Sequence, residues 1–114
     1  MENENQLSPL SEKCFFVLCV INLNDKIHGY KIISEVDRLS EGKIQVAFSS
    51  LYTMLRKFEQ EGIIFVYKRN ETGTKTIYYQ ITDKGKTLLE SEAIRMQKLI
   101  ALVALRKDDN IEKK

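Results

Sequence analysis

The 114-residue sequence contains no tryptophan, one proline, one histidine and two cysteines. Each shortage excludes something. Two cysteines and one histidine cannot furnish a four-ligand zinc site without carboxylates. Cys14 and Cys19 lie five apart on a helix-patterned segment, which points them about 140° apart. That spacing suits neither a metal pair nor a local disulfide, so both read as small core hydrophobes, with a redox role left open. No run approaches the ~20 apolar residues of a membrane span, and the polar start Met1-Glu-Asn-Glu-Asn lacks signal-peptide character. There is no glycine-rich phosphate loop, no paired-carboxylate site and no nucleophile–base set, so no enzyme, metal or cofactor is expected. The single His28 reads as a capping or packing residue. What remains is one small, soluble domain, expected in the cytoplasm.

Hydrophobic residues make up 43% and charged residues 30%, the balance of a chain that can hold a thin core unaided. Net charge is only +2, but its distribution is uneven. Residues 1–50 carry five Lys/Arg against seven Asp/Glu, and residues 51–86 carry seven against four. The cationic excess therefore sits in the middle third, where a polyanion could release counterions on binding. An ordinary solvated surface accounts for the same charges.

The periodicity predicts four helices and a two-stranded hairpin. Ser8-Pro-Leu-Ser-Glu reads as a capped entry to a helix whose apolar face comprises Leu10, Cys14, Val17, Leu18 and Ile21, widened by Phe15, Phe16 and Val20. A second helix starts near His28-Gly29-Tyr30, with Tyr30, Ile33, Val36 and Leu39 as its stripe, and ends before Gly42. Lys43–Phe48 is a β-branched connector able to pair as a small strand. Ser49 and Ser50 are expected to cap a third helix, Ser49–Glu61, that turns Leu51, Met54, Leu55 and Phe58 inward and stops at Gly62. Ile63–Lys68 and Lys75–Ile81 alternate as two strands, joined by the turn-rich Arg69-Asn-Glu-Thr-Gly-Thr, longer than a two-residue turn. Thr82 caps a last helix from about Asp83 to Arg106.

Helix, helix, helix, hairpin, helix is the order of an α+β, mostly α, winged helix-turn-helix with a long C-terminal dimerisation helix. Residues 1–7 read as a loose arm, 8–82 as the winged helix-turn-helix domain, 83–106 as the dimerisation helix and 107–114 as a charged tail. In such motifs the second helix enters the major groove of DNA. Here it offers Ser49, Ser50, Tyr52, Thr53, Arg56 and Lys57 opposite its apolar stripe, and the hairpin tip offers Lys68, Arg69, Thr74 and Lys75. Hydroxyls and backbone N–H groups suit phosphate, and Arg or Lys suits phosphate or guanine. Capping serines on an amphipathic helix, and charges that protect a sheet edge, are the plainer readings. Leu89, Ala93, Met96, Ile100 and Val103 form a heptad-like seam, and Leu99–Leu105 is apolar throughout, which predicts a two-fold dimer along the last helix.

The blocks His28-Gly29-Tyr30, Ser50-Leu51-Tyr52 leading to Leu55-Arg-Lys-Phe-Glu-Gln-Glu-Gly62, and Tyr78-Tyr79-Gln-Ile-Thr-Asp-Lys-Gly85 resemble the PadR family of bacterial transcriptional regulators over about residues 10–106. The resemblance implies a winged-helix homodimer that binds palindromic promoter double-stranded DNA and usually represses, in several members with release by a small molecule. It implies DNA contacts at Tyr52 and its neighbours and at Lys68, Arg69 and Lys75. Thr53 stands where many members have proline, as in the multidrug-sensing branch. That branch sandwiches aromatic drugs between tryptophans; here Met96 occupies the matching place, so such a sandwich does not carry over. Met96 with Cys14, Phe15 and Leu18 could still line a pocket for a small apolar effector at the dimer interface, or simply pack the core. A protein-interaction module and a ligand-binding dimer without a specific DNA target stay open as alternatives.

Overall fold

In the computed structural model, which describes residues 7–71 and 74–105, the chain runs α1 (Glu12–Asn22), β1 (Ile27–His28), α2 (Gly29–Leu39), α3 (Phe48–Gln60), β2 (Ile64–Glu71), β3 (Thr74–Ile81) and α4 (Asp83–Ala101). A 3-10 turn, Leu102–Ala104, follows. The strands form one antiparallel sheet in the order β1-β3-β2. The core lies between α1, α2, α3 and the base of the hairpin. It is built on Val17, Leu18, Ile21, Ile32, Val36, Leu51, Phe58 and Ile63, all fully buried. The arm before Leu7 and the tail after Leu105 lie outside the described residues.

Local chemistry sets the helix ends, not always where the periodicity put them. The cap of α1 is Ser11, whose hydroxyl accepts the Cys14 N–H at 3.1 Å, so Ser8-Pro9 precedes the helix instead of opening it. His28 does cap α2: its Nδ1 accepts the Lys31 N–H. On α2, Ile32 and Val36 are the inward pair, while Tyr30 is 71% exposed and Leu39 is also exposed. The inward face is thus rotated from the predicted stripe, because the helix packs on its α1 and α3 sides and leaves its first turn open. α3 starts at Phe48, and Ala47 stands at the cap position with no side-chain bond; Ser49 and Ser50 are exposed within the first turn. The helix closes on Gly62 at φ +73, with Ile63 N–H bonded to Phe58 O and Gly62 N–H to Glu59 O, a paired C-terminal closure that needs left-handed backbone at that glycine.

Two further expectations are corrected. The connector 43–47 forms no strand; Ser40 Oγ bonds both Ile44 N and Ile44 O and turns the chain there instead. The third strand comes from Ile27–His28, which pair with Tyr79 and Tyr78. The hairpin ladder continues to Glu71 opposite Thr74, so two residues separate the strands where a longer loop was expected. Backbone pairing asks nothing of side-chain polarity, and it carries the strands beyond their apolar part.

At the joint between α3, the hairpin and α4, Thr82 bonds through both its backbone and its hydroxyl, whose one hydrogen two carbonyls share. Its N–H is donated to Ile63 O, its hydroxyl lies 2.7 Å from Gly62 O and 3.0 Å from Ile63 O, and that hydroxyl accepts the Gly85 N–H at 3.0 Å. Gly85 is buried against the same strand start; a Cβ there would collide with the Ile63 carbonyl oxygen and come within 2.7 Å of Ile81 Cγ1.

Farther along α4 sits Glu92, a charged residue only 2% exposed. Its carboxylate accepts the Leu10 N–H at 2.6 Å, the Ser8 hydroxyl at 2.9 Å and two Arg95 N–H groups, while Arg95 also donates to Leu10 O. The chain entering α1 is thereby tied to the middle of α4. Burial pushes the Glu92 carboxyl up, but the bonds from Arg95, Leu10 and Ser8 outweigh it and hold the group below its ordinary value.

Gly85→Ala is expected to cost about 2 kcal/mol or more, read as a lower denaturant midpoint, because neither backbone nor strand can yield to the added methyl. The depressed Glu92 carboxyl contributes stability that is present above the unfolded-state value of about 4.3 and lost as pH falls through the lower folded value. Glu92→Gln is therefore expected to reduce stability by about 2 kcal/mol at neutral pH and to flatten the acid limb of a stability–pH curve. An unchanged acid limb would contradict the assignment.

Candidate nucleic-acid interface

α3 is amphipathic, and its outward face is a hydroxyl–cation stripe. Ser49, Thr53 and Arg56 follow one another at helical spacing and are all exposed, and Gln60 extends the row by one more turn. Gln60 did not stand out in the sequence because an amide in a solvated face carries no signal of its own. Ser50 and Lys57 occupy the flank that looks toward α1, where with Thr53 they rim a cavity floored by Cys14, Met54 and Phe58. Thr53 donates its hydroxyl to Ser49 O. Arg56, Lys57, Lys68 and Lys75 form no ion pair with any described acidic side chain.

Tyr52 departs from its neighbours. It is 46% exposed, and its ring stacks on Phe48 with centroids 5.3 Å apart; Tyr30 meets Phe48 edge-on at 4.7 Å. These rings form one wall of a groove of about 440 Å³ between α3 and the hairpin, closed on the other side by Lys75, Ile77, Tyr78 and Tyr79. Tyr30 and Phe48 escaped the sequence reading, which assigned Tyr30 to the core stripe. Their signal was that Phe48 immediately precedes the polar face of α3. Lys26 Nζ sits 5.4 Å from the centre of the Tyr78 ring and adds charge near the same groove.

The hairpin register divides the four residues expected to act together at the tip. Lys68 pairs with Ile77 and Lys75 lies two positions before Ile77, so both lysines share the face that carries Val66, Ile77 and Tyr79. That is the face turned toward the groove and α3. Arg69 and Thr74 hold the alternate ladder positions, and their side chains, like residues 72–73, lie outside the description.

The expected dimer and ligand residues split as well. Leu89 is buried within its own chain, so it belongs to the core and not to the seam. Ala93 and Met96 are half-buried, whereas Leu99, Ile100 and Val103 are exposed, Val103 to 85%. Ile94, Leu102 and Leu105 extend that apolar surface. α4 gives way to the 3-10 turn after Ala101, where the segment has no packing partner among the described residues to support a longer helix; the expected end, Arg106, lies outside them. Leu18 is fully buried in the core. Cys14 opens toward α3, and Phe15 is half-buried on α1. Both cysteines are free thiols, and burial pushes Cys19 up. Among the described residues no three His, Cys, Asp or Glu side chains gather as a metal site, and no helix is long and apolar enough to cross a membrane.

A three-helix core, an antiparallel hairpin beside the exposed face of the third helix and a protruding last helix together define a winged-helix protein of the transcriptional-regulator class. More narrowly, the chain belongs to the transcriptional regulator PadR-like family, whose model matches residues 17–91. Solved structures with the same fold include a transcriptional regulator from Clostridium thermocellum (TM-score 0.72, 18% identity, covering 80% of this chain and 88% of that one). A PadR family regulator from Clostridium difficile R20291 aligns with TM-score 0.70 and 19% identity over 82% of this chain and 96% of its own. Bacillus subtilis PadR, solved in complex with operator DNA, aligns with TM-score 0.66 and 21% identity over 86% of this chain and 62% of its own. No curated protein sequence matches the chain significantly.

Proposed function

We propose that this regulator is a homodimeric repressor that binds a palindromic promoter sequence through α3 and the hairpin. The observation that carries the reading is the exposed hydroxyl–cation stripe Ser49, Thr53 and Arg56 on α3, flanked by Lys57 and by Lys68 and Lys75 of the hairpin, cations that meet no acidic partner among the described residues. A helix presenting short hydroxyls at its N-terminal turn and an arginine about two turns on can hold phosphate with the former and read a guanine edge with the latter. Ser50 and Tyr52 reach the backbone from either flank. Arg69 and Thr74 of the hairpin belong to the same proposed contact. The operator complex of the Bacillus subtilis relative supports a duplex as the partner.

The two-fold axis runs through the distal half of α4. Residues 8–82 form the DNA-reading unit, and 83–106 the dimerisation segment. Leu99, Ile100 and Val103, with Met96 and Ala93 at the inner edge, would be covered by the same residues of a second copy. Pairing there sets the distance between two α3 helices and hence the half-site spacing. A small apolar ligand seated beside Met96 and Phe15 that changes the crossing of the two α4 helices would release DNA by spoiling that spacing.

Arg56→Ala is expected to weaken binding to a selected palindromic duplex about tenfold and to lower the salt slope by about one, with the melting temperature unchanged. Fluorescence anisotropy at two salt concentrations reads both quantities, and unaltered affinity would count against the site. Val103→Asp is expected to dissociate the dimer at micromolar concentration without unfolding the protomer, since the residue makes no core contact. Sedimentation showing an intact dimer would contradict the axis.

A further inference from the structure

The cavity between α1 and α3 has a composition that DNA binding does not require. Its floor is Leu7, Cys14, Met54 and Phe58, its rim Ser50, Thr53 and Lys57, and its volume about 360 Å³. That volume lies within the range of small-molecule sites. Phe58 is fully buried beneath it, and half-buried Met54 and Cys14 supply an adaptable thioether and a small polarizable thiol. The Lys57 ammonium at the mouth meets no acidic partner among the described residues. An open apolar cleft with a cation at its rim that meets no described acidic partner selects a molecule with an apolar body and an anionic head.

We infer that this cavity is an effector site for a small amphiphilic carboxylate, its chain on Leu7, Cys14, Met54 and Phe58 and its head group on Lys57. Binding itself needs nothing from the DNA reading; the consequence for regulation rests on it. Ser50, Thr53 and Lys57 belong to the face proposed to meet the duplex, so the head group and a DNA phosphate compete for the same cation. Release of DNA through this site is direct and requires no change in the dimer. It shares Cys14 with the pocket expected near Met96 but lies on the α3 side of α1, without Met96, Phe15 or Leu18, and its chemistry is different.

Octanoate is the probe, with octanol lacking the charge and acetate lacking the body. Iodoacetamide alkylation followed by peptide mass spectrometry reads Cys14 in the cavity floor, with half-buried Cys19 as the internal reference. Saturating octanoate is expected to slow alkylation of Cys14 about tenfold and leave Cys19 unchanged, and to weaken duplex binding by a similar factor. Cys14→Phe, which fills the floor, is expected to keep duplex affinity and lose the octanoate response; Met54→Phe serves the same purpose should the first variant fail to fold. Unchanged Cys14 alkylation would overturn the site, as would a Cys14 that resists alkylation in the free protein, because the chain itself would then fill the cavity. Equal protection by octanol would overturn the carboxylate assignment. Protection without loss of duplex affinity would overturn the competition while the site stands. A protein that binds no duplex at all leaves the alkylation result intact and sinks the DNA reading alone.

Discussion

The contact of Gly85 with the Ile63 carbonyl holds the molecule in its working shape. α3 must end, the hairpin must begin, and α4 must start within a few ångströms of one another. Steric room there exists only because position 85 has no side chain. Thr82 then satisfies the exposed polar groups of the joint, bonding Gly62 O, Ile63 O and the Gly85 N–H. Helix α3 is consequently rigid with respect to both the hairpin beside it and the helix behind it. The reading face and the grip proposed for DNA could not meet one duplex in one register across a flexible joint.

α4 is two helices in terms of chemistry. Its first half is buried through Gly85, Leu88, Leu89 and Glu92, and it belongs to the domain core. Its distal part, with the 3-10 turn that follows, carries Ile94, Leu99, Ile100 and Val103 into solvent. Glu92 marks the boundary and solves a specific problem there. The chain entering α1 presents backbone groups at Leu10 that would otherwise lack partners where they meet α4, and a carboxylate with an adjacent guanidinium answers both the N–H and the C=O. α1 and α4 are thus locked together at the base of the apolar surface proposed to meet a second copy.

The same architecture places two kinds of chemistry on either flank of α3. Toward the hairpin, Tyr52, Phe48 and Tyr30 form an aromatic wall facing Lys75 and Tyr78. Toward α1, Ser50, Thr53 and Lys57 rim an apolar cavity. The outward stripe between them is polar and exposed. One thirteen-residue helix therefore has three distinct surroundings besides its buried side, each set by the element it borders.

The order of the four helices and the hairpin, the buried stripe of α3 and the Gly62 and Thr82 boundaries were legible in the residues, because each rests on local chemistry that a single chain segment decides. Leu51, Leu55 and Phe58 at helical spacing determine which side of α3 is buried, and the hydroxyl–cation stripe is then simply what remains. The family resemblance was legible for the same reason, since its motifs are short local blocks. Tertiary structure decided the rest. That Ile27–His28 pair with β3 while 43–47 do not, that Leu89 is core while Val103 is exposed, and that Lys68 and Lys75 share a face all depend on which elements meet. So does the buried role of Glu92: alone in sequence it is one more charge on a helix, and it becomes a clamp only when Leu10, more than eighty residues away, is brought against it. Local interactions are encoded within a turn or two of chain, whereas the burial of a side chain is a property of its neighbours in space.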